Sequence, residues 1–315
     1  MKIVLLESLG IPEESLQRRV APLLRAGHTF EAYPRSTDPD ELIARCTGAQ
    51  AVMLANMPLP GRVIDACDVL QFIDIAFTGV DHVDLDAARR KSVTVSNASG
   101  YSTTAVAELT VCMMLSLLRN VSAVEARCRA GRTKDGLVGC ELAGKTVGIV
   151  GTGAIGLRVA ALCHAFGCEV IAYSRTQRAD APDYVRYVPL DALMTLSDVV
   201  TLHCPLTEET RGMINEQRLA LMKPGAILIN AARGGVVDTR ALADALESGR
   251  LGGAGVDVFD SEPPLCTEHP LLHTPNTLVT PHVAFATAES MEPRADIVFD
   301  NLNQWLQGHP VRLVL

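Results

Sequence analysis

The chain has no surplus of positive charge: 28 Lys and Arg stand against 36 Asp and Glu, a formal net charge of −8. That balance argues against a nucleic-acid or anionic-membrane partner, so a bound anion must be held by backbone amides or a few placed cations. No apolar run approaches the roughly 20 residues of a membrane span. The opening MKIVLLESLGIPEE carries a short apolar run that meets Glu7 at once. It is too short for a signal peptide and reads as a first strand. The nine cysteines form no CxxC pair and have no His neighbours at zinc spacing. No metal site is expected, and the thiols read as reduced, mostly buried and cytoplasmic. Internal repeats, low-complexity segments and charge blocks are also missing.

What is present is a foldable core. With 48% hydrophobic and 20% charged residues, disorder is excluded. Short β-rich apolar runs alternate with helical patterns throughout, the signature of α/β architecture with parallel sheets. Strands are expected at residues 3–6, 29–33, 51–54, 72–75 and 93–95, with helices between them, for example over 13–26 and 84–91. Five such strands predict a flavodoxin-like doubly wound sheet. Residues 102–129, rich in Ala, Leu and Met, predict one long helix that either packs in a core or forms a subunit interface. A second set of strands is expected at 146–150, 170–173, 199–203, 226–230, 255–259 and 277–279, and a last helix over 287–307. Six strands around a glycine-rich loop predict a Rossmann sheet. Two sheets in one chain predict a ligand cleft between them.

The glycine-rich loop is Gly151-Thr152-Gly153-Ala154-Ile155-Gly156, which leaves one apolar run and opens a helical pattern. Gly151 suits the tight turn, Gly153 lets backbone approach a pyrophosphate, and Gly156 lets the helix pack on the sheet. Phosphates would meet free amides at the helix N-terminus, where the dipole favours negative charge. An acid normally follows the second strand and grips the ribose 2′-hydroxyl; Ser174, Arg175 and Thr176 stand there instead. Without the acid's repulsion, a 2′-phosphate is admitted, so NAD or NADP is expected, with NADP slightly favoured.

Three later strand ends carry polar groups where open α/β sheets bind ligands. They are Asn230-Ala231-Ala232-Arg233-Gly234-Gly235, Asp257-Val258-Phe259-Asp260-Ser261-Glu262, and Thr280-Pro281-His282-Val283-Ala284. Together with DIAFTGVDHVD (74–84), GYSTTAVAE (100–108), GTGAIG and HCPLTEET (203–210), these segments closely resemble the D-isomer-specific 2-hydroxyacid dehydrogenase family over nearly the whole length. Its glycerate, hydroxypyruvate and phosphoglycerate dehydrogenase-like members are the pattern matched.

The resemblance implies a catalytic triad of Arg233, Glu262 and His282. His282 would be general acid towards the carbonyl oxygen and base in reverse, its ordinary pKa being near working pH. Glu262 would orient the imidazole and stabilise its protonated form. Arg233 would hold the substrate carboxylate with its planar fork. Thr104, His203, Cys204, Pro205, Thr210, Ala231 and Asp257 would join the loop and Ser174–Thr176 around the cofactor, Asp257 at the nicotinamide carboxamide. His203 receives no proton-transfer role. Asn56, Met57, Thr78 and Gly79 would meet the substrate, together with Arg233 and His282.

A Glu at position 262, where the formate-oxidising relatives carry Gln, favours 2-oxo acid chemistry. Phe285 departs from the Gly, Ser or Trp common there, which bears on the shape of the pocket wall. The substrate loop 55–60 contains no cation before Arg62, which weakens a phosphorylated substrate and favours glyoxylate, hydroxypyruvate or pyruvate. The implied protein is a cytoplasmic homodimer, paired through the helix near 102–129. It reduces a small 2-oxo acid to a D-2-hydroxy acid. Alternatives are a non-catalytic NAD(H)-sensing corepressor-like protein, or a phosphoglycerate- or phosphite-oxidising member. The expected division is residues 1–98 plus 286–315 as substrate domain and 99–285 as dinucleotide-binding domain.

Overall fold

The computed structural model describes residues 1–261 and 265–315; Glu262, Pro263 and Pro264 lie outside the described residues. The chain divides into two compact units, Met1–Ser102 with Ala286–Leu315, and Thr103–Phe285. Both are built on parallel sheets with alternating helices, so the α/β doubly wound class holds for each.

The first unit runs β1 (Lys2–Leu5), α1 (Glu13–Arg25), β2 (Thr29–Ala32), α2 (Pro39–Cys46), β3 (Ala51–Leu54), α3 (Gly61–Ala66), β4 (Phe72–Ile75), α4 (Leu85–Arg90) and β5 (Thr94–Asn97). Its strands lie in the order β2-β1-β3-β4-β5, the flavodoxin-like arrangement. The inner strands AVML and FIDI are buried at every position, as a parallel sheet covered on both faces requires. Helix starts are fixed by acids: Asp38 accepts the Asp40 amide at 2.9 Å and Asp84 the Ala87 amide at 2.8 Å. The returning helix Ala288–Leu306 packs on β4 and β5, and the tail beyond it pairs along β5, with the Val314 amide donating to the Val95 carbonyl at 2.8 Å. Beneath that helix, Asp74 of β4 is fully buried and accepts Asn301 Nδ2 at 3.0 Å.

The second unit begins with α5 (Thr103–Leu118) and α6 (Val121–Arg129). These replace the single long helix expected over 102–129: the two pieces are bent by 62°. Asn120 causes the break by adopting a left-handed backbone, φ 52° and ψ 36°, a conformation Asn tolerates better than most residues. The Cys140 amide then returns to the Leu118 carbonyl, 2.8 Å away, and closes the end of α5. Among the described residues no single helix is long and apolar enough to cross a membrane.

The chain continues as β6 (Thr146–Val150), α7 (Ala154–Ala165), β7 (Glu169–Tyr173), β8 (Val185–Tyr187), α8 (Leu190–Leu196), β9 (Val199–Leu202), α9 (Glu216–Leu221), β10 (Ile227–Asn230), α10 (Thr239–Glu247), β11 (Gly253–Val256) and β12 (Thr277–Val279). The sheet has seven strands, β12-β11-β10-β9-β6-β7-β8, rather than the six expected. The addition is β8, whose three residues VRY include only one fully buried position and so carry no apolar run. With β8 in place, the order from β8 to β11 is the Rossmann 3-2-1-4-5-6, and β12 extends it. Alternate residues feed separate cores: Val200 and Leu228 pack with Leu193 and Met222, while Val199 and Ile227 pack with Met113 and Val159.

Candidate active site

The sheet order reverses between β6 and β9, and there the backbones of the two following loops approach closely. Gly151 follows β6 with φ +98°, and a Cβ on it would sit 2.6 Å from the His203 carbonyl oxygen that follows β9. On Gly156 a Cβ would lie 2.0 Å from the Gly151 oxygen. Both glycines are therefore demanded by the fold itself. Gly153 is different: nothing lies within 4 Å of its Cβ position, and it and Ala154 are exposed. It stands at the start of α7, whose first amides have no partner within the helix. An open glycine before free amides is a cradle for a pyrophosphate, so the site fits a dinucleotide.

Thr152 of this loop is buried, and its hydroxyl accepts Tyr187 Oη at 2.9 Å. Tyr187 sits on β8, so the strand without a sequence signal braces the loop. After β7, Ser174 is half-buried and Thr176 exposed, while Arg175 pairs with Glu209 at 3.2 Å. Both members of that pair are largely exposed. His203 shares a hydrogen bond between Nε2 and the Thr201 hydroxyl at 2.9 Å, while its buried Nδ1 has no partner. Burial lowers its pKa to about 3, so the ring is neutral at any physiological pH. Cys204 is half-buried, and its thiol is pushed up to about 11 by burial, which leaves it unreactive. Pro205 and Thr210 are tied to each other, the Thr210 hydroxyl donating to the Pro205 carbonyl at 2.6 Å. Thr104 is exposed in the first turn of α5.

The next strand ends carry the charged groups. Ala231, Ala232 and Arg233 follow β10, where Asn230 folds the turn: its Oδ1 accepts the Ala232 amide at 3.1 Å and its Nδ2 donates to the Arg233 carbonyl at 2.9 Å. The half-buried Arg233 donates from Nη1 to the Ala232 carbonyl at 2.7 Å. A Cβ on Gly234 would fall 1.9 Å from the Phe259 carbonyl carbon, so only glycine lets the Arg233 turn lie against the segment that follows β11.

Asp257 follows β11 and is fully buried. Its Oδ1 accepts the Thr280 hydroxyl at 2.6 Å and the Val283 amide at 2.8 Å, and its Oδ2 accepts the Ala284 amide at 2.9 Å. Its backbone carbonyl accepts the His282 amide at 2.7 Å. Three of about four acceptor sites on the carboxylate are thus committed to the turn after β12. His282 itself has φ +55°, a left-handed backbone held by those bonds. Its ring is half-buried and meets Phe285 edge-to-face, with centroids 5.9 Å apart. Glu262, the third member of the expected triad, lies outside the described residues. The strand ends from β7 to β12 thus bring Ser174, the glycine loop, His203, Arg233, Asp257 and His282 to one edge of one sheet.

Within the first unit, Thr78 is exposed and Gly79 half-buried after β4, where Asn97 Nδ2 donates to the Thr78 carbonyl at 2.7 Å. The preceding Phe77 lies under the buried Arg294 guanidinium, 5.8 Å from its ring centroid. Met57 is fully buried, and its amide and that of Ala55 are accepted by Glu7 Oε1 at 2.7 and 2.8 Å. Arg35 Nη1 donates to both Glu7 Oε2, at 3.0 Å, and Asn56 Oδ1, at 2.6 Å. The absence of a cation from loop 55–60 is therefore a property of the linear sequence, not of the folded loop. Arg62, the nearest cation along the chain, pairs with Asp40 instead. Among the described residues no group of three or more His, Cys, Asp or Glu is placed to hold a metal ion.

The family model described as "D-isomer specific 2-hydroxyacid dehydrogenase, NAD binding domain" matches residues 111–284, which hold the glycine loop and each of these strand ends. The chain belongs to the D-isomer specific 2-hydroxyacid dehydrogenase family. Family relatives include a hydroxypyruvate reductase of Blautia hydrogenotrophica, 35% identical over 286 residues that cover 88% of each chain. A glycerate dehydrogenase of Methylorubrum extorquens is 37% identical over 299 residues, 91% of this chain and 92% of the relative. Among solved structures, an acyclic imino acid reductase in complex with NADPH and D-Arg superposes with a TM-score of 0.91 at 26% identity, over the full length of both chains. The second unit is thus the family's NAD(P)-binding domain.

Proposed function

We propose that the protein reduces a small 2-oxo acid, of the glyoxylate or hydroxypyruvate kind, to the D-2-hydroxy acid with NAD(P)H. The observation that carries this is the His282 turn: a histidine on a left-handed backbone, locked to a buried carboxylate one strand away, beside a strand end that presents Arg233. Relatives named hydroxypyruvate reductase and glycerate dehydrogenase support the same chemistry.

His282 donates a proton to the carbonyl oxygen during reduction and takes it back in the reverse direction. Glu262 is its partner in this reading, on the strength of the family resemblance. Arg233 pairs with the substrate carboxylate, and the backbone amides around Thr78 and Gly79 complete its binding. Asn56 and Met57 face the variable group. The chemistry that bound NAD(P)H supplies is hydride delivery to the carbonyl carbon. Gly151–Gly156 hold its pyrophosphate; Ser174, Arg175 and Thr176 its ribose; Thr104, His203, Cys204, Pro205, Thr210, Ala231 and Asp257 border the rest. NADPH is favoured slightly, because Ser174 and Arg175 stand in place of the ribose-binding acid after β7 and Arg175 would be available to a 2′-phosphate in competition with Glu209.

The proposal includes a cytoplasmic homodimer. All nine thiols are free, but only four are buried and four are exposed, so they are not mostly buried as expected. The faces of α5, α6 and α7 enclose an open apolar hollow of about 980 Å³ lined by Val111, Leu115, Val121, Val124, Leu162 and Phe166, a surface suited to a second copy.

Consumption of NADH and NADPH is to be followed with glyoxylate, hydroxypyruvate and pyruvate. Turnover of at least one is expected, with kcat lowered about 10²- to 10⁴-fold in His282→Ala and cofactor binding retained. Turnover undiminished in that variant rules out the assigned acid.

A further inference from the structure

Asn56 has a place in the mechanism above, but Glu7 and Arg35, which form one hydrogen-bonded cluster with it, have none. β1 lies between β2 and β3 in the first sheet. Arg35 follows β2, and its side chain crosses the end of β1 to reach the loop after β3. There Nη1 spans Glu7 Oε2 and Asn56 Oδ1 at 3.0 and 2.6 Å. Glu7 is 6% exposed and fixes the same loop through two backbone amides, so the guanidinium is anchored on a rigid base. One Arg nitrogen is thereby committed. Among the described residues no acceptor meets Nε or Nη2, and the side chain is 42% exposed. The guanidinium therefore presents a free fork of donors.

Its position fits a particular part of a 2-oxo acid. Asn56 follows β3 and Thr78–Gly79 follow β4, the adjacent strand, one strand spacing of roughly 5 Å away. That is about the reach from the carboxylate of a three-carbon 2-oxo acid to a substituent on its third carbon. The charge of Arg35 is already balanced by Glu7. The fork consequently offers directed hydrogen bonds with little surplus positive charge, which suits an uncharged oxygen better than a phosphate.

We propose that Arg35 is a specificity-determining residue that donates to an uncharged oxygen on the third carbon of the substrate, selecting 3-hydroxy-2-oxo acids over those with hydrogen or methyl there. This rests on the proposed 2-oxo acid reduction and adds a residue to it. The test measures kcat and KM for hydroxypyruvate, glyoxylate, pyruvate and 3-phosphohydroxypyruvate in the wild type, Arg35→Met and Arg35→Lys. Arg35→Met is expected to lower kcat/KM for hydroxypyruvate about 10- to 100-fold, mostly through KM, with glyoxylate and pyruvate nearly unchanged. Arg35→Lys, which keeps the charge and loses the fork, is expected to fall between.

An equal fall for all substrates would assign Arg35 to loop anchoring alone and overturn the proposal. So would an unchanged preference, or a wild-type kcat/KM higher for the phosphate ester than for hydroxypyruvate. A wild type that turns over none of them removes the 2-oxo acid reading together with this one, an outcome distinct from active enzymes with unaltered selectivity.

Discussion

The backbone carbonyl of Asp257 accepts the amide of His282 at 2.7 Å, so the residue after β11 sets the backbone of the turn that follows β12. The carboxylate of the same aspartate holds the next two amides, Val283 and Ala284. His282 keeps its left-handed conformation because one buried side chain closes the turn around it. Asp257→Asn replaces one acceptor oxygen by a donor, whereas Asp257→Ala strands all three donors at about 1–3 kcal/mol each. The alanine variant is expected to lose more in Tm than the asparagine variant, and both to lower kcat more than they raise KM. Thermal melts and steady-state kinetics on the pair check the ranking; equal activity in Asp257→Ala and wild type would show that the turn holds without the carboxylate.

Gly153 and Gly156 separate binding from folding. A Cβ at 153 meets nothing, while at 156 it lies 2.0 Å from a carbonyl oxygen. Gly153→Ala should therefore leave the Tm of the cofactor-free protein within about a degree or two and weaken NAD(P)H binding. Gly156→Ala should destabilise the cofactor-free protein by about 1–3 kcal/mol. Calorimetry without cofactor and fluorescence titration with it distinguish the two.

Arg175 and Glu209 form an exposed ion pair at 3.2 Å, of a kind worth about 1 kcal/mol or less. A 2′-phosphate competes with Glu209 for that guanidinium. Glu209→Gln is expected to raise kcat/KM for NADPH by up to about fivefold and to leave NADH unaffected. Arg175→Ala should do the opposite for NADPH. If neither substitution alters the NADPH to NADH ratio, Arg175 takes no part in the choice.

Asp74 gives a pH dependence of stability. Burial holds its carboxyl well above the ordinary range, against the opposing bond from Asn301 and the nearby Arg312 charge. A raised folded pKa means that the folded chain keeps a proton the unfolded chain releases near pH 3.9. Stability from this group is therefore complete below that value and falls as pH rises through the folded pKa. Asp74→Asn, neutral at every pH, is expected to melt a few degrees above wild type near neutrality, and the gap should close towards pH 4. Parallel melting curves across that range provide the measurement, and a gap that widens on acidification would contradict the sign.

Features written in contiguous residues were readable from the sequence. The glycine loop, the Arg233 turn and the His282 turn each lie within ten residues of the end of a strand, and a parallel sheet must deliver the carboxyl ends of its strands to one edge. Contacts between distant segments were not. Arg35 and Asn56 stand 21 positions apart, and Glu7 and Met57 stand 50 apart. Nothing in either segment marks the other. β8 was missed because three residues at a sheet edge need little apolar surface, although its Tyr187 braces Thr152. The bend after α5 depends on one Asn backbone inside an otherwise uninterrupted helical pattern, and periodicity does not register a single dihedral.

The split of the first unit into residues 1–102 and 286–315 has a temporal meaning. During synthesis its five strands emerge before residues 103–285, whereas the helix that covers β4 and Asp74, and the strip that pairs with β5, emerge after them. The intervening 103–285 can settle as a unit in the meantime. Until residues 286–315 emerge, β5 presents a bare edge that invites pairing with another nascent chain. The unit begun before the other is thus completed only after it, and its vulnerable period lasts at least as long as the synthesis of residues 103–285.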